Sequence, residues 1–442
     1  MVELFTRLMR DKKTLKKLLF TMMALFAILV GYQIPLPGIN PLYLQSVLGG
    51  FTETGLGSFI NLMTGNSMQQ MSLFALSVGP YITASIIIQL LSVVFPKLQA
   101  LQRDGNIGRK KIERLTYLVG GIFAVIEALG LALSFGKGGL ITPYSWYMVL
   151  YATVVWAGGA LLLIWLGQTI TNKLIGNGIS LILLFNILLS FPTSMVGIFT
   201  SIAGSSELWV KIVTILGMIV VFALMFAYVI LLNNAEKRIR INNSRNIGTV
   251  MRGAAQHHMP IKLNIGGVMP VIFASSVMNL PAIIAMLFGV DSNSVIGKIV
   301  ACFNQTNWFR LDHPIYSIGA ILFIALIYMF SRFYVMISFN TLEIANNLKK
   351  NGTIVNGIRP GAPTAEYLDK QVNSMLWLGT TMLMIVALVP MILSGLFGIG
   401  GLSFGGTTII IIVGVLLDMR TTLEANTASV AYKKLIRTGG KR

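Results

Sequence analysis

MSLFALSVGPYITASIIIQLLSVVF, residues 71–95, contains no charged side chain. As an α-helix rising 1.5 Å per residue it would span about 37 Å, more than the roughly 30 Å hydrocarbon core of a bilayer. Lys97 and Arg103 follow it, as basic residues follow a membrane span at its cytoplasmic end. Outward from this segment the same reading recurs, giving ten apolar stretches: 18–34, 71–95, 115–135, 146–166, 179–199, 208–232, 268–288, 315–337, 375–396 and 402–417. The whole composition agrees, with 55% of the 442 residues hydrophobic and 11% charged, where soluble proteins carry about 25% charge. A water-soluble domain of this size is excluded by that balance. Cys302 is the single cysteine, so neither a disulfide scaffold nor a cysteine-rich metal site is available.

A net charge of +19 would suggest nucleic acid if the basic residues shared one soluble face. They do not. Residues 1–17, 96–114, 168–178, 233–264, 338–372 and the tail from 418 together hold 29 Lys and Arg, whereas residues 35–70, 136–145, 200–207, 290–314 and 397–401 hold 3. Cytoplasmic loops retain positive charge, so the alternation predicts ten membrane crossings with both termini in the cytoplasm. The expected fold is an all-α membrane protein of ten transmembrane helices in two inverted five-helix halves. Its parts are a cytoplasmic N-terminus (1–17), an N-terminal half (18–207), a C-terminal half (208–417) and a cytoplasmic tail (418–442).

Three features interrupt this plan. Residues 56–70 are too apolar for a free outer loop and too short to cross, which leaves a re-entrant segment filling a cavity or a helix lying flat at the interface. Gly79-Pro80, Pro270, Pro281 and Pro390 fall inside apolar stretches and predict kinks. Ionisable groups inside the spans are few: Glu127 lies mid-span, with Lys211 and Arg332 nearer ends, while His257, His258 and His313 lie in loops. Coupled transporters keep several such groups at midplane. A secondary transporter of a small solute, built on Glu127, is therefore the weaker of two readings. His257-His258 lacks acidic or Cys neighbours and Gly176-Asn177-Gly178 lacks a preceding strand, so no metal, cofactor or catalytic role is expected.

Two cytoplasmic loops, 233–264 and 338–372, exceed what joining antiparallel helices requires. In the first, Arg238-Ile239-Arg240-Ile241-Asn242 and Pro260-Ile261-Lys262-Leu263-Asn264 alternate polar and apolar, which predicts a small basic hairpin. The second holds Asn356-Gly357-Ile358-Arg359-Pro360-Gly361, a turn-rich tip presenting Arg359. On composition alone these loops could equally be solvated connectors or contacts for anionic lipid.

Six ordered blocks resemble the SecY family, the channel-forming subunits of the bacterial Sec protein translocase, related to the eukaryotic and archaeal translocon subunit. They are Ser72–Leu76 running on through Gly79-Pro80-Tyr81 to Leu91, Gly108-Arg109-Lys110-Lys111-Ile112, Gly176–Ser180, Pro260–Asn264, Pro270–Ser276, and Gly357–Gly361 with Thr364–Tyr367. The resemblance spans residues 18–418. It implies a passive channel, not an enzyme, that passes unfolded secretory polypeptides and releases membrane segments sideways into lipid. It further implies a pore ring of Val78, Ile82, Ile179, Leu183, Ile272 and Ile411. A plug would lie at about 56–70, centred on Phe59, Ile60, Asn61, Leu62, Met63, Thr64 and Gly65. A lateral gate would carry Thr83, Glu127, Ser275, Ser276 and Asn279, and partners would dock on Arg238, Arg240, Arg252 and Arg359. The implied partners are small SecE- and SecG-like membrane subunits, the SecA motor ATPase, the ribosome, precursor polypeptides and the lipid bilayer. Branched aliphatic side chains suit such a ring, because they dewet against ions yet offer a passing chain no hydrogen bonds. Ordinary bundle packing would use the same residues. Val78 and Leu183 stand where isoleucine is common in the family, and the segment after the fourth span lacks the acidic residues often found there.

Overall fold

In a computed structural model the described residues are 12–40, 61, 63–173, 177–203, 208–243, 257–287, 294–309, 314–397 and 405–439. Ten helices carry the membrane-spanning part: α1 (Lys12–Tyr32), α2 (Gly79–Val94), α4 (Gly105–Phe135), α5 (Trp146–Lys173), α6 (Gly178–Ala203), α7 (Leu208–Asn234), α8 (Met269–Leu287), α10 (Ile318–Ser338), α12 (Ala362–Phe397) and α13 (Gly405–Gly439). Three shorter ones, α3 (Pro96–Arg103), α9 (Val295–Phe303) and α11 (Thr341–Lys350), lie in connections. Six of the ten, α1, α4, α5, α7, α10 and α12, are long and apolar enough to cross by themselves. The sharply bent pair α2–α3 adds a seventh, and the apolar parts of α6 and α8 are shorter. In α13 the apolar part is the buried aliphatic run Ile409–Val413 with Val415.

Local chemistry sets several helix starts. Pro80 and Pro96 stand in the first turns of α2 and α3, where a missing N–H leaves no helical bond unmade. Pro270 likewise is the second residue of α8, so it starts that helix and does not kink it, contrary to the sequence expectation. Pro281, Pro390 and, in α6, Pro192 are interior. At the start of α6 the Asn177 side-chain oxygen accepts the Ile179 N–H at 3.1 Å, an N-terminal cap.

The 71–95 stretch is not one helix. Residues 71–78 form turns that lie beside the segment after α1, with the Leu36 N–H donating to the Met71 carbonyl at 3.2 Å and the Leu73 N–H to Ile34 at 3.1 Å. Hydropathy measures burial, and this segment is buried without being helical: Ser77 has φ 49°, and Leu73 lies directly against Gly159 of α5, where a side chain would collide.

The helices pack as two groups. Helix α4 packs on α2 and on α5, with α1 and α6 also on α5, and α8, α10, α12, α13 and α7 form the second group. The groups meet along two lines, α6 against α7 and α13, and α4 against α8.

On the side expected to be cytoplasmic, the two long loops fold together. Strand β1 (Glu236–Asn243) pairs antiparallel with β2 (His257–Lys262), matching Arg238 with Pro260 and Arg240 with His258, so the predicted hairpin is present. A third strand, β3 (Thr353–Val355), comes from the other loop and pairs with β1 through Ile241 and Val355. The strands order β2-β1-β3. Beneath them Ile239, Ile261, Val335, Val355, Leu368, Val372 and Leu376 form a separate core shared with the ends of α10 and α12.

A candidate pore and a three-stranded platform

Of the six candidate ring residues, Val78, Ile179, Leu183, Ile272 and Ile411 are buried and Ile82 is half-buried. Val78 caps the N-terminus of α2 and accepts the Ile82 N–H at 3.2 Å, which fixes the two one turn apart. Val78, Ile179 and Leu183 belong to a cluster with Ile28, Tyr32 and Phe74 in the first helix group. Ile272 and Ile411 belong to the large cluster of the second group, which also takes in Ile86, Leu184 and Ile187. Two half-buried side chains, Ile82 and Met63, pack against both clusters. The candidate ring is thereby divided between the two groups, with Ile82 at their junction. Ile179 also lies close against Gly167 of α5, so it serves helix packing as well.

Of the candidate plug, Phe59, Ile60 and Leu62 lie outside the described residues. Asn61, Thr64 and Gly65 are buried and Met63 half-buried, in a helical turn and the bend after it. Polar side chains hold this segment in place. The Asn186 amide nitrogen donates to the Met63 carbonyl at 2.8 Å and to Ser77 Oγ at 2.8 Å, while the Tyr32 hydroxyl donates to the Asn186 side-chain oxygen. Ser190 donates to the Asn61 carbonyl at 2.9 Å, and Asn66 donates to Thr193 at 2.8 Å. Gly65 has φ 67°, and a side chain on it would sit 3.3 Å from the Asn186 Cα. Asn186 is fully buried, and an amide left unpaired there would cost about 1–3 kcal/mol. Sequence reasoning overlooked Asn186, Tyr32, Ser77 and Ser190. The available signal was a lone Asn inside the apolar run 181–189 of a span.

Among the gate candidates, Ser275 and Asn279 are buried one turn apart on α8, and Ser275 Oγ and the Asn279 amide nitrogen have no hydrogen-bond partner among the described residues. Ser276 and Glu127 are half-buried, and half-buried Thr83 donates back to the Gly79 carbonyl at 3.2 Å. Glu127 lies on α4 and the serines on α8, the two helices that touch along the second line between the groups.

Arg238, Arg240 and Arg359 are exposed, and Arg252 lies outside the described residues. Arg238 pairs with Glu236 at 2.8 Å. The Asn356 N–H donates to the Arg240 carbonyl at 3.3 Å, and Thr364 donates to the Arg359 carbonyl at 2.8 Å. Gly357 and Gly361, at φ 78° and 107°, supply the left-handed turns around Arg359. Arginines from two loops thus stand on one folded platform, which sequence spacing alone did not bring together.

The SecY family profile matches residues 72–420. This chain belongs to the SecY family. The protein translocase subunit SecY of Streptomyces galbus is 36% identical and covers 99% of this chain and 100% of its own. That of Rickettsia conorii is 33% identical over 95% of each chain. Two solved structures share the fold. A protein-conducting channel superposes with TM-score 0.63 at 19% identity, covering 93% of this chain and 92% of its own. The canine Sec61 of a ribosome-channel complex gives TM-score 0.62 at 19% identity, covering the same shares. The ten-helix membrane fold agrees with both, and nothing in these matches supports the small-solute transporter.

Proposed function

We propose that the chain is a passive protein-conducting channel of the cytoplasmic membrane, through which unfolded secretory polypeptides cross and from which membrane segments leave sideways into lipid. The observation that carries this is the junction at Ile82 and Met63, where aliphatic side chains from both helix groups meet around the start of α2. An aliphatic waist between two bodies can part without breaking hydrogen bonds, and it closes by dewetting. Val78, Ile82, Ile179, Leu183, Ile272 and Ile411 are the constriction. The segment around 56–70 is its plug. The line between α4 and α8, with Thr83, Glu127, Ser275, Ser276 and Asn279, is the lateral gate. A signal sequence enters lipid there, driven by the transfer energy that inserts any apolar helix.

Both ends and the three-stranded platform face the cytoplasm, a reading supported by the excess of basic residues in alternate loops. Energy comes from a partner, a SecA-like motor ATPase or the ribosome, docked on Arg238, Arg240, Arg252 and Arg359. SecE- and SecG-like subunits cover part of the lipid-facing surface. The test is closed-state conductance of the purified complex in a planar bilayer. Ile82→Asp introduces a hydrated charge at the waist and should raise the ion leak by an order of magnitude or more; resistance equal to that of the unaltered channel would contradict the ring.

A further inference from the structure

Every polar attachment described for the candidate plug goes to one side of the seam. Tyr32 is on α1, Asn186, Ser190 and Thr193 are on α6, and Ser77 is in the turn before α2. Toward the second helix group, the described part of the segment offers the apolar packing of Met63. Within the first group the fit is complete: both amide hydrogens of Asn186 are used, on the Met63 carbonyl and on Ser77, and its oxygen accepts from Tyr32. Ser67 ties the segment to itself and to the turn after it, its single hydroxyl hydrogen shared between the carbonyls of Thr64, 2.7 Å from Oγ, and Phe74, at 2.9 Å.

From this asymmetry we infer that Asn186, with Tyr32 and Ser190, is a latch that keeps the plug on the N-terminal half, so that parting the seam and releasing the plug are two separate events. The inference rests on the channel reading above. A signal sequence wedging α4 from α8 separates Met63 from its apolar neighbours in the second group and leaves the polar contacts intact. Those contacts break only when something enters the pore axis and displaces residues 61–67. Asn186 is therefore a positioning residue: it acts through the plug backbone and touches no cargo.

The test uses the assembled complex in membrane vesicles, with Cys302→Ser to remove the native thiol. Asn66→Cys with Thr193→Cys, joined by a short thiol-thiol crosslinker, ties the plug to α6. A signal sequence should still photocrosslink to a probe at Ser276 at unchanged yield, while passage of the mature chain is lost. Loss of both together would overturn the two-event order. Without crosslinking, Asn186→Leu should raise the closed-state ion leak about tenfold, the scale expected for losing the hub of a buried network, and Thr193→Val should raise it less. If Asn186→Leu fails to assemble, Thr193→Val with Ser190→Ala provides the same reading. No rise in leak from any of these, in a channel that Ile82→Asp does make leak, removes the latch and leaves the channel. No leak from Ile82→Asp removes the ring at the waist, on which the latch depends.

Discussion

At the scale of single residues, burial and polarity set opposite demands on this chain. Gly159 lies in α5 where the Leu73 carbonyl approaches too closely for any side chain. Gly159→Leu must push the 71–78 segment off the bundle, and overpacking of this kind costs about 1–3 kcal/mol or more. A lower melting temperature of the detergent-solubilised complex is the expected result. Ser275 is the converse, a buried hydroxyl with no partner among the described residues. Ser275→Ala removes an unsatisfied group and should hold or raise that melting temperature, since an unmade bond at a buried polar atom costs about 1–3 kcal/mol.

At the scale of elements, the three-stranded sheet has its own core, shared with the ends of α10 and α12 and separate from the cores between the spans. Ile261 is 1% exposed beneath the strands. Ile261→Asp buries an unpaired charge and should open the sheet to protease while the spans remain protected, visible as cleavage confined to 233–264 and 338–372. Arg359→Glu leaves that core untouched, so assembly should persist while motor-driven export of a secretory precursor stops; unchanged export would take Arg359 out of the docking site. The hairpin was legible from the alternation at 238–242 and 260–264, because period-two patterning reports one buried face. Strand β3 was not, since Thr353–Val355 is three residues long and its partner lies more than a hundred positions away. The break at 71–78 was hidden for another reason. A turn packed inside protein has the hydropathy of a helix, and the positive φ at Met71 and Ser77, with the close approach at Gly159, separates the two.

At the scale of the whole molecule, an all-α fold of ten long apolar helices was legible in hydropathy, while the pore was not. A ring is a relation between helices distant in sequence, and the aliphatic residues that would line it are the same types that fill any bundle. The two helix groups meet where α6 touches α7 and α13 and where α4 touches α8, and the proposed waist lies between them. The most direct test of a polypeptide path through the waist is photocrosslinking of a precursor stalled in mid-passage, with the probe placed in turn at Ile82, at Ile411 and at Leu224, an exposed position on α7. The channel account predicts strong crosslinks from Ile82 and Ile411 and none above background from Leu224. Equal yields at all three, or crosslinks from Leu224 alone, would contradict it.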